Sequence, residues 1–216
     1  MIKIFAVSGY KNSGKTTLCL RLLAELKRLG VRVGYIKRTS EEIFTEDESD
    51  SSSVEKLGVR GALWGPDGLR FEEREAAALS PHNIAARYFP EAEIVIVEGG
   101  KYLDLPRIWV EGEEKRPDNV GGVFMIYDRS ARGDGALTFG AGDEEEMARR
   151  LAATVRGKFY RSSKVYIGDK ALPMKDFIAD FVRGAVLGML ASLKGGKEPD
   201  GPIRIFIDEN DEKEAK

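Results

Sequence analysis

The chain has 216 residues, 42% of them hydrophobic and 32% charged, which suits one domain of ordinary size or one domain with a small appendage. Thirty-four Lys and Arg against 36 Asp and Glu leave a formal charge of −2, without the basic surplus of a general nucleic-acid binder. A single cysteine, Cys19, excludes an intrachain disulfide framework or thiolate cluster, and a single histidine, His82, argues against a histidine-rich metal site.

From the N-terminus, IKIFAVSG (Ile2–Gly9) is apolar on both alternating faces apart from Lys3, the pattern of a central strand covered on both sides. Lys15 to Leu29 predicts a helix with Arg21, Glu25 and Arg28 on one face and Gly30 as its stop. VRVGYIK (Val31–Lys37) predicts a second strand, so the opening segment forms a βαβ unit with parallel strands. Thr39 to Ser53 then carries six acidic residues and no basic one, the composition of a solvated surface loop. VRGALWGPDGLRFEE (Val59–Glu73) reads as a hairpin around Gly-Pro-Asp-Gly, and a helix carrying His82 follows.

EIVIVEGG (Glu93–Gly100) and GGVFMIYD (Gly121–Asp128) read as short buried strands. Gly142 to Phe159 reads as a helix whose acids come first and bases later, matching its dipole. Beyond Arg161 the pattern gives a hairpin turning at Gly168-Asp169, a helix from Lys175 to about Leu193, a last strand IRIFID (Ile203–Asp208) and a solvated tail. The stretch FVRGAVLGMLASL is broken by Arg183 and falls short of the ~20 apolar residues that span a bilayer. MIKIFAVSGY is too short for a signal peptide, so the expectation is a cytoplasmic protein with no membrane partner. The expected fold is α/β. It comprises a mainly parallel sheet flanked by helices over residues 1–160, with an inserted hairpin, and a small β-β-α-β module with an acidic tail over 161–216.

Between the first strand and the first helix, Gly9-Tyr10-Lys11-Asn12-Ser13-Gly14-Lys15-Thr16 satisfies G-x-x-x-x-G-K-[ST], the phosphate-cradling loop, or P-loop. Glycines at both ends permit backbone angles and close approaches that a Cβ would block. Successive amides from Lys11 to Thr16, with Thr17 behind them, then face an anion at a helix N-terminus. Lys15 supplies an ammonium to β- and γ-phosphates, and the Thr16 hydroxyl is a Mg²⁺ ligand. The expected fold is therefore of the P-loop NTPase type.

Glu98 ends a buried strand, at the carboxyl edge where open α/β sheets bind ligands. It is read as a metal-holding and catalytic carboxylate or as a cap on a neighbouring loop. Asp50 is either a third metal-site residue or one charge among many on its acidic segment. Lys37, Arg38 and Lys101 stand at strand ends, as candidates for anionic substrate oxygens or as plain surface charge. Cys19 is read as a small buried hydrophobe. No Asn/Thr-Lys-x-Asp element follows a late strand, and Tyr127 to Ser130 (YDRS) lacks the lysine, so base choice does not follow from the spacing.

With these pieces assembled, the chain resembles the molybdopterin-guanine dinucleotide biosynthesis protein B (MobB) family. GYKNSGKTTL, YIKR, Asp50-Ser51 before GVRGA, and above all VIVEGGKYLDLPRIWV carry the likeness. The last contains Glu98, Gly99, Lys101, Pro106, Arg107 and Ile108 in an E-G-x-K…P-[KR]-I arrangement. The resemblance implies GTP binding with slow hydrolysis, in support of a guanylyltransferase that joins GMP to molybdopterin, and a homodimer. Arg107 joins Lys37, Arg38 and Lys101 as implied substrate contacts. Competing readings are a P-loop kinase, which would need an arginine-bearing lid where this chain has an acidic loop, and a nucleotide-dependent adaptor without turnover.

Overall fold

In a computed structural model of the chain, residues 2–41, 43, 61–73, 77–131, 136–155, 163–167, 170–193, 203–205 and 207 are described. Asp50 and most of the acidic segment lie outside them. The chain divides into two compact units, Met1–Phe159 with Lys164–Leu172, and Tyr160–Ser163 with Pro173–Lys216.

The first unit is built on a six-stranded parallel sheet in the order β2-β5-β1-β6-β7-β8. Its strands are β1 (Lys3–Ser8), β2 (Val33–Lys37), β5 (Ile94–Glu98), β6 (Arg107–Val110), β7 (Val123–Tyr127) and β8 (Thr138–Phe139). Alternation in β1 sends Phe5 and Val7 to one face and Ile4 and Ala6 to the other, and two separate cores form there. The first core packs Leu18, Cys19, Leu22 and Leu26 of α1 (Lys15–Arg28) and Met147, Ala148 and Leu151 of α3 (Glu144–Ala153) against the sheet. The second includes Ala85 of α2 (Pro81–Tyr88), whose Ser80 N-cap accepts from Asn83 N at 3.2 Å.

Helix α1 ends as its sequence predicts. Gly30 takes a left-handed φ of 77°, and Val31 N bonds back to Leu26 O at 3.0 Å, closing the last turn. The sheet contains two strands that periodicity does not single out. RIWV (β6), all four residues buried, enters between β1 and β7, and β8 is only two residues long. Both are too short to display a period of their own.

The inserted hairpin forms a separate antiparallel pair, β3 (Gly61–Gly65) with β4 (Gly68–Glu72). Its register pairs Ala62 with Phe71 and Trp64 with Leu69, so one face carries four apolar residues. Trp64 on that face is 89% exposed and Phe71 67%.

The hairpin β9 (Tyr166–Ile167) and β10 (Lys170–Ala171) belongs to the first unit, where Lys164 Nζ donates to the carbonyls of Pro90 and Ala92 at 3.2 and 3.4 Å. The second unit keeps α4 (Asp176–Ala191). Ile203 to Ile205 and Ile207, read as part of a strand, are not in one. No helix among the described residues is long and apolar enough to cross a membrane.

Candidate nucleotide-binding site

Register alone brings the first two site elements together. β5 lies beside β1 with Val7 opposite Glu98, so the carboxylate ends its strand two residues short of Gly9 in the neighbouring one. On its other side β5 pairs with β2, and Lys37 stands opposite Glu98. The carboxyl ends of three adjacent strands thus converge on one edge, the place where parallel sheets bind ligands.

The loop between β1 and α1 has the backbone its glycines foretell. A Cβ on Gly9 would lie 2.6 Å from Val110 O and 2.7 Å from Ser13 Oγ, so only glycine lets the loop pass β6 this closely. Asn12 and Gly14 adopt left-handed φ angles of 63° and 93°, the kind of turn that folds successive amides toward one side. Gly14 N-caps α1 with no side-chain hydrogen bond, leaving the first-turn amides without a side-chain acceptor from the cap. The Ser13 hydroxyl is buried with no partner among the described residues. These are the features of a cradle for an anion.

Thr16 Oγ1 donates to Glu98 Oε1 at 2.6 Å, and Tyr35 Oη donates to Glu98 Oε2 at 2.6 Å. Both carboxylate oxygens are therefore oriented, on a side chain only 5% exposed. A neutral and an anionic oxygen side by side suit a hard divalent cation such as magnesium. Among the described residues no group of three or more His, Cys, Asp or Glu could hold a metal unaided. Phosphate oxygens and water would have to complete such a shell.

Lys15 donates from Nζ to the Tyr10 carbonyl within the loop. Burial lowers its pKa first; the Glu98 charge opposes that shift, and Lys101 and Lys37 add to it. Glu98, Lys37 and Lys101, which sequence reading gathered one at a time, thus all act electrostatically on Lys15. Lys101 lies over the Tyr10 ring at 4.7 Å, Tyr10 meets Trp109 edge-on at 6.0 Å, and Tyr10 Oη donates to Lys115 O at 3.0 Å. The P-loop tyrosine therefore anchors the loop to the segments following β5 and β6. Arg38 donates its backbone N to Glu98 O at 2.9 Å and leaves its side chain exposed.

Arg107 is the clear departure. Its side chain was expected at substrate, yet the residue is 3% exposed and its guanidinium serves backbone carbonyls. Nε donates to Gly121 O at 2.6 Å, Nη1 to Lys101 O at 2.6 Å, and Nη2 to Leu103 O. Nη1 also reaches Ser8 Oγ at 3.3 Å, and Ser8 in turn donates to Gly99 O at 3.1 Å. The planar fork with its five donors ties the Gly99–Leu103 loop to the end of β1, which makes Arg107 a clamp on the site rather than an open anion contact. Cys19 is 1% exposed, and burial pushes its thiol up to about 12, so it behaves as the small hydrophobe expected.

Sequence reading gave no site role to four residues, Tyr35, Arg21, Tyr127 and Arg129. Tyr35, inside a strand, shows its role only when β2 pairs with β5. Arg21 and Tyr127 both donate to Glu144 Oε1, at 2.5 and 2.7 Å, and so join α1, β7 and α3. Arg129, after β7, lies against Gly14 of the P-loop. Arg21, Tyr127 and Arg129 line a cavity of about 270 Å³ together with Thr17, Leu18 and Ala141.

Comparison with known proteins matches this arrangement to one family. The model of the family described as MobB, molybdopterin guanine dinucleotide synthesis protein B, matches residues 4–121. A Methanocaldococcus jannaschii protein, provisionally named a molybdopterin-guanine dinucleotide biosynthesis adapter protein, is 23% identical over 96% of this chain and 98% of its own. A Haemophilus influenzae protein of that adapter name is 28% identical over 52% of this chain and 65% of its own. A crystal structure of molybdopterin-guanine biosynthesis protein B superimposes with a TM-score of 0.51 at 27% identity, covering 71% of this chain and 99% of that one. The P-loop, the Glu98 strand end and the Arg107 clamp all lie within the matched 4–121 segment, and the chain belongs to the MobB family.

Proposed function

We propose that the protein is a GTP-binding, weakly hydrolysing accessory factor in the biosynthesis of molybdopterin guanine dinucleotide. The observation that carries this reading is the 2.6 Å hydrogen bond from Thr16 Oγ1 to Glu98 Oε1 at the foot of an amide-lined loop. Only the first turn of α1 and the end of β5 together make that pair. Family membership supplies the pathway, and the adapter names of its relatives fit an accessory role.

In this reading the amides from Lys11 to Thr16 receive the β-phosphate, and Lys15 swings from the Tyr10 carbonyl to bridge β- and γ-oxygens. Thr16 and Glu98 hold magnesium, which when bound neutralises charge developing on the phosphoryl oxygens. Asp50 remains a candidate for the same shell. Lys37 and Lys101 ring the mouth with positive charge that suits an anionic pterin phosphate or the partner guanylyltransferase. The protein works as a cytoplasmic homodimer.

Calorimetry with GTP and magnesium tests the reading. Lys15→Ala is expected to abolish binding while leaving the thermal midpoint unchanged, and retained affinity would overturn it. The adapter names also favour a second reading, in which bound nucleotide orders a docking surface without turnover. Phosphate release measured with and without a molybdopterin guanylyltransferase separates the two.

A further inference from the structure

We infer that Arg129 is a second cation for the nucleotide's phosphate chain, closing the cradle on the side away from Glu98. The inference rests on the P-loop reading above and names a residue in a position that the motif does not cover. Arg129 stands just beyond β7, two strands from β1 across β6, and its guanidinium returns to the start of α1. A Cβ placed on Gly14 would lie 1.7 Å from Arg129 Nη2 and 2.5 Å from its Cζ. The guanidinium therefore rests directly on the glycine whose neighbours supply the cradle's amides.

Its backbone is fixed for that reach. Asp128 Oδ1 accepts from Ser130 N at 2.9 Å and from Ser130 Oγ at 2.7 Å, and Asp128 N donates to Phe139 O at 2.9 Å. The turn carrying Arg129 is thus pinned on both sides and tied to β8. The charge is also uncommitted. Arg21, which lines the same cavity, is paired with Glu144 at 2.5 Å, whereas Arg129 has no carboxylate within ion-pair distance among the described residues. A planar, always-charged fork beside Thr17 and an anion cradle is suited to phosphate oxygens.

Two cations, Lys15 on one flank and Arg129 on the other, would then share a single polyphosphate. The ligand class is an inorganic or nucleoside polyphosphate, recognised through its oxygens rather than its base.

Affinities of the full-length protein, Arg129→Ala and Arg129→Lys are to be measured by calorimetry for magnesium GTP and for magnesium tripolyphosphate, at low and high salt. Arg129→Ala should weaken both ligands by roughly tenfold and flatten the salt dependence, with Arg129→Lys in between. Equal affinities for wild type and Arg129→Ala would overturn the inference while leaving the P-loop reading intact. A loss confined to GTP would also overturn it, because the arginine would then serve the nucleoside. If the unsubstituted protein bound neither ligand, the P-loop reading and this inference would fall together.

Discussion

Thr16 and Glu98 are 82 positions apart in sequence, yet the hydroxyl of one donates to the carboxylate of the other at 2.6 Å. The bond joins the first turn of α1 to the end of β5 and leaves the second carboxylate oxygen to Tyr35. With Thr16 and Glu98 holding magnesium as proposed, a change at Glu98 would act through metal rather than through phosphate. For Glu98→Gln we expect magnesium GTP to bind about tenfold more weakly, with little change when EDTA removes the ion. Tyr35→Phe should cost about 1 kcal/mol of stability and weaken the magnesium complex less than Glu98→Gln does. Parallel titrations with and without magnesium check both.

Arg107 and Lys101 were read from the sequence as equivalent candidates, and the structure makes them different in kind. Arg107→Ala strands several part-buried carbonyls and should destabilise the protein by about 3 kcal/mol. Arg107→Lys should fail to restore stability, because a single ammonium cannot reproduce the fork. Lys101→Ala should leave the thermal midpoint near that of wild type. Denaturant unfolding of the three variants measures the contrast, and a wild-type midpoint for Arg107→Ala would contradict it.

Acid should loosen the junction of α1 and α3. Burial works against the Glu144 charge, but hydrogen bonds from Tyr127 and Arg21 outweigh it and hold the carboxyl below the ordinary value. Its stabilising contribution is then complete above the unfolded-state pKa and is lost as pH falls through the folded one. Glu144→Gln should lose about 1–3 kcal/mol at neutral pH, because hydrogen bonds to a charged group are replaced by weaker ones. The variant should also show a smaller drop in thermal midpoint than wild type between neutral pH and pH ~3. Melting curves across that range supply the test.

The hairpin face bearing Trp64, Leu69 and Phe71 carries the expectation of self-association. Trp64 is 89% exposed, Phe71 67% and Leu69 56%, and together they form an apolar patch of the kind that marks an interaction surface. Trp64→Asp should shift a dimer toward monomer in sedimentation at micromolar concentration, with GTP affinity retained. An unchanged sedimentation profile would remove this face from the interface.

The sequence by itself determined whatever is local or periodic. Gly9 to Thr16 specified the loop, because its glycines, lysine and hydroxyl act within one turn of chain. The apolar alternation of β1 and β5 specified strands covered on both faces, and the 3.6-residue spacing of leucines specified α1. Gly30 announced the helix end.

Tertiary structure alone decided what depends on register and on strand order. Glu98 became a partner of Thr16 because β5 pairs with β1 in one particular alignment, and Tyr35 joined them because β2 pairs with β5. Arg107 was diverted from the mouth to the backbone because β6 enters the sheet beside β1, where a buried guanidinium needs its donors satisfied. Arg129 reached Gly14 across two strands, a proximity with no signature in spacing. Periodicity records which face of an element is buried, while the neighbour it meets is set by long-range pairing that leaves no local trace.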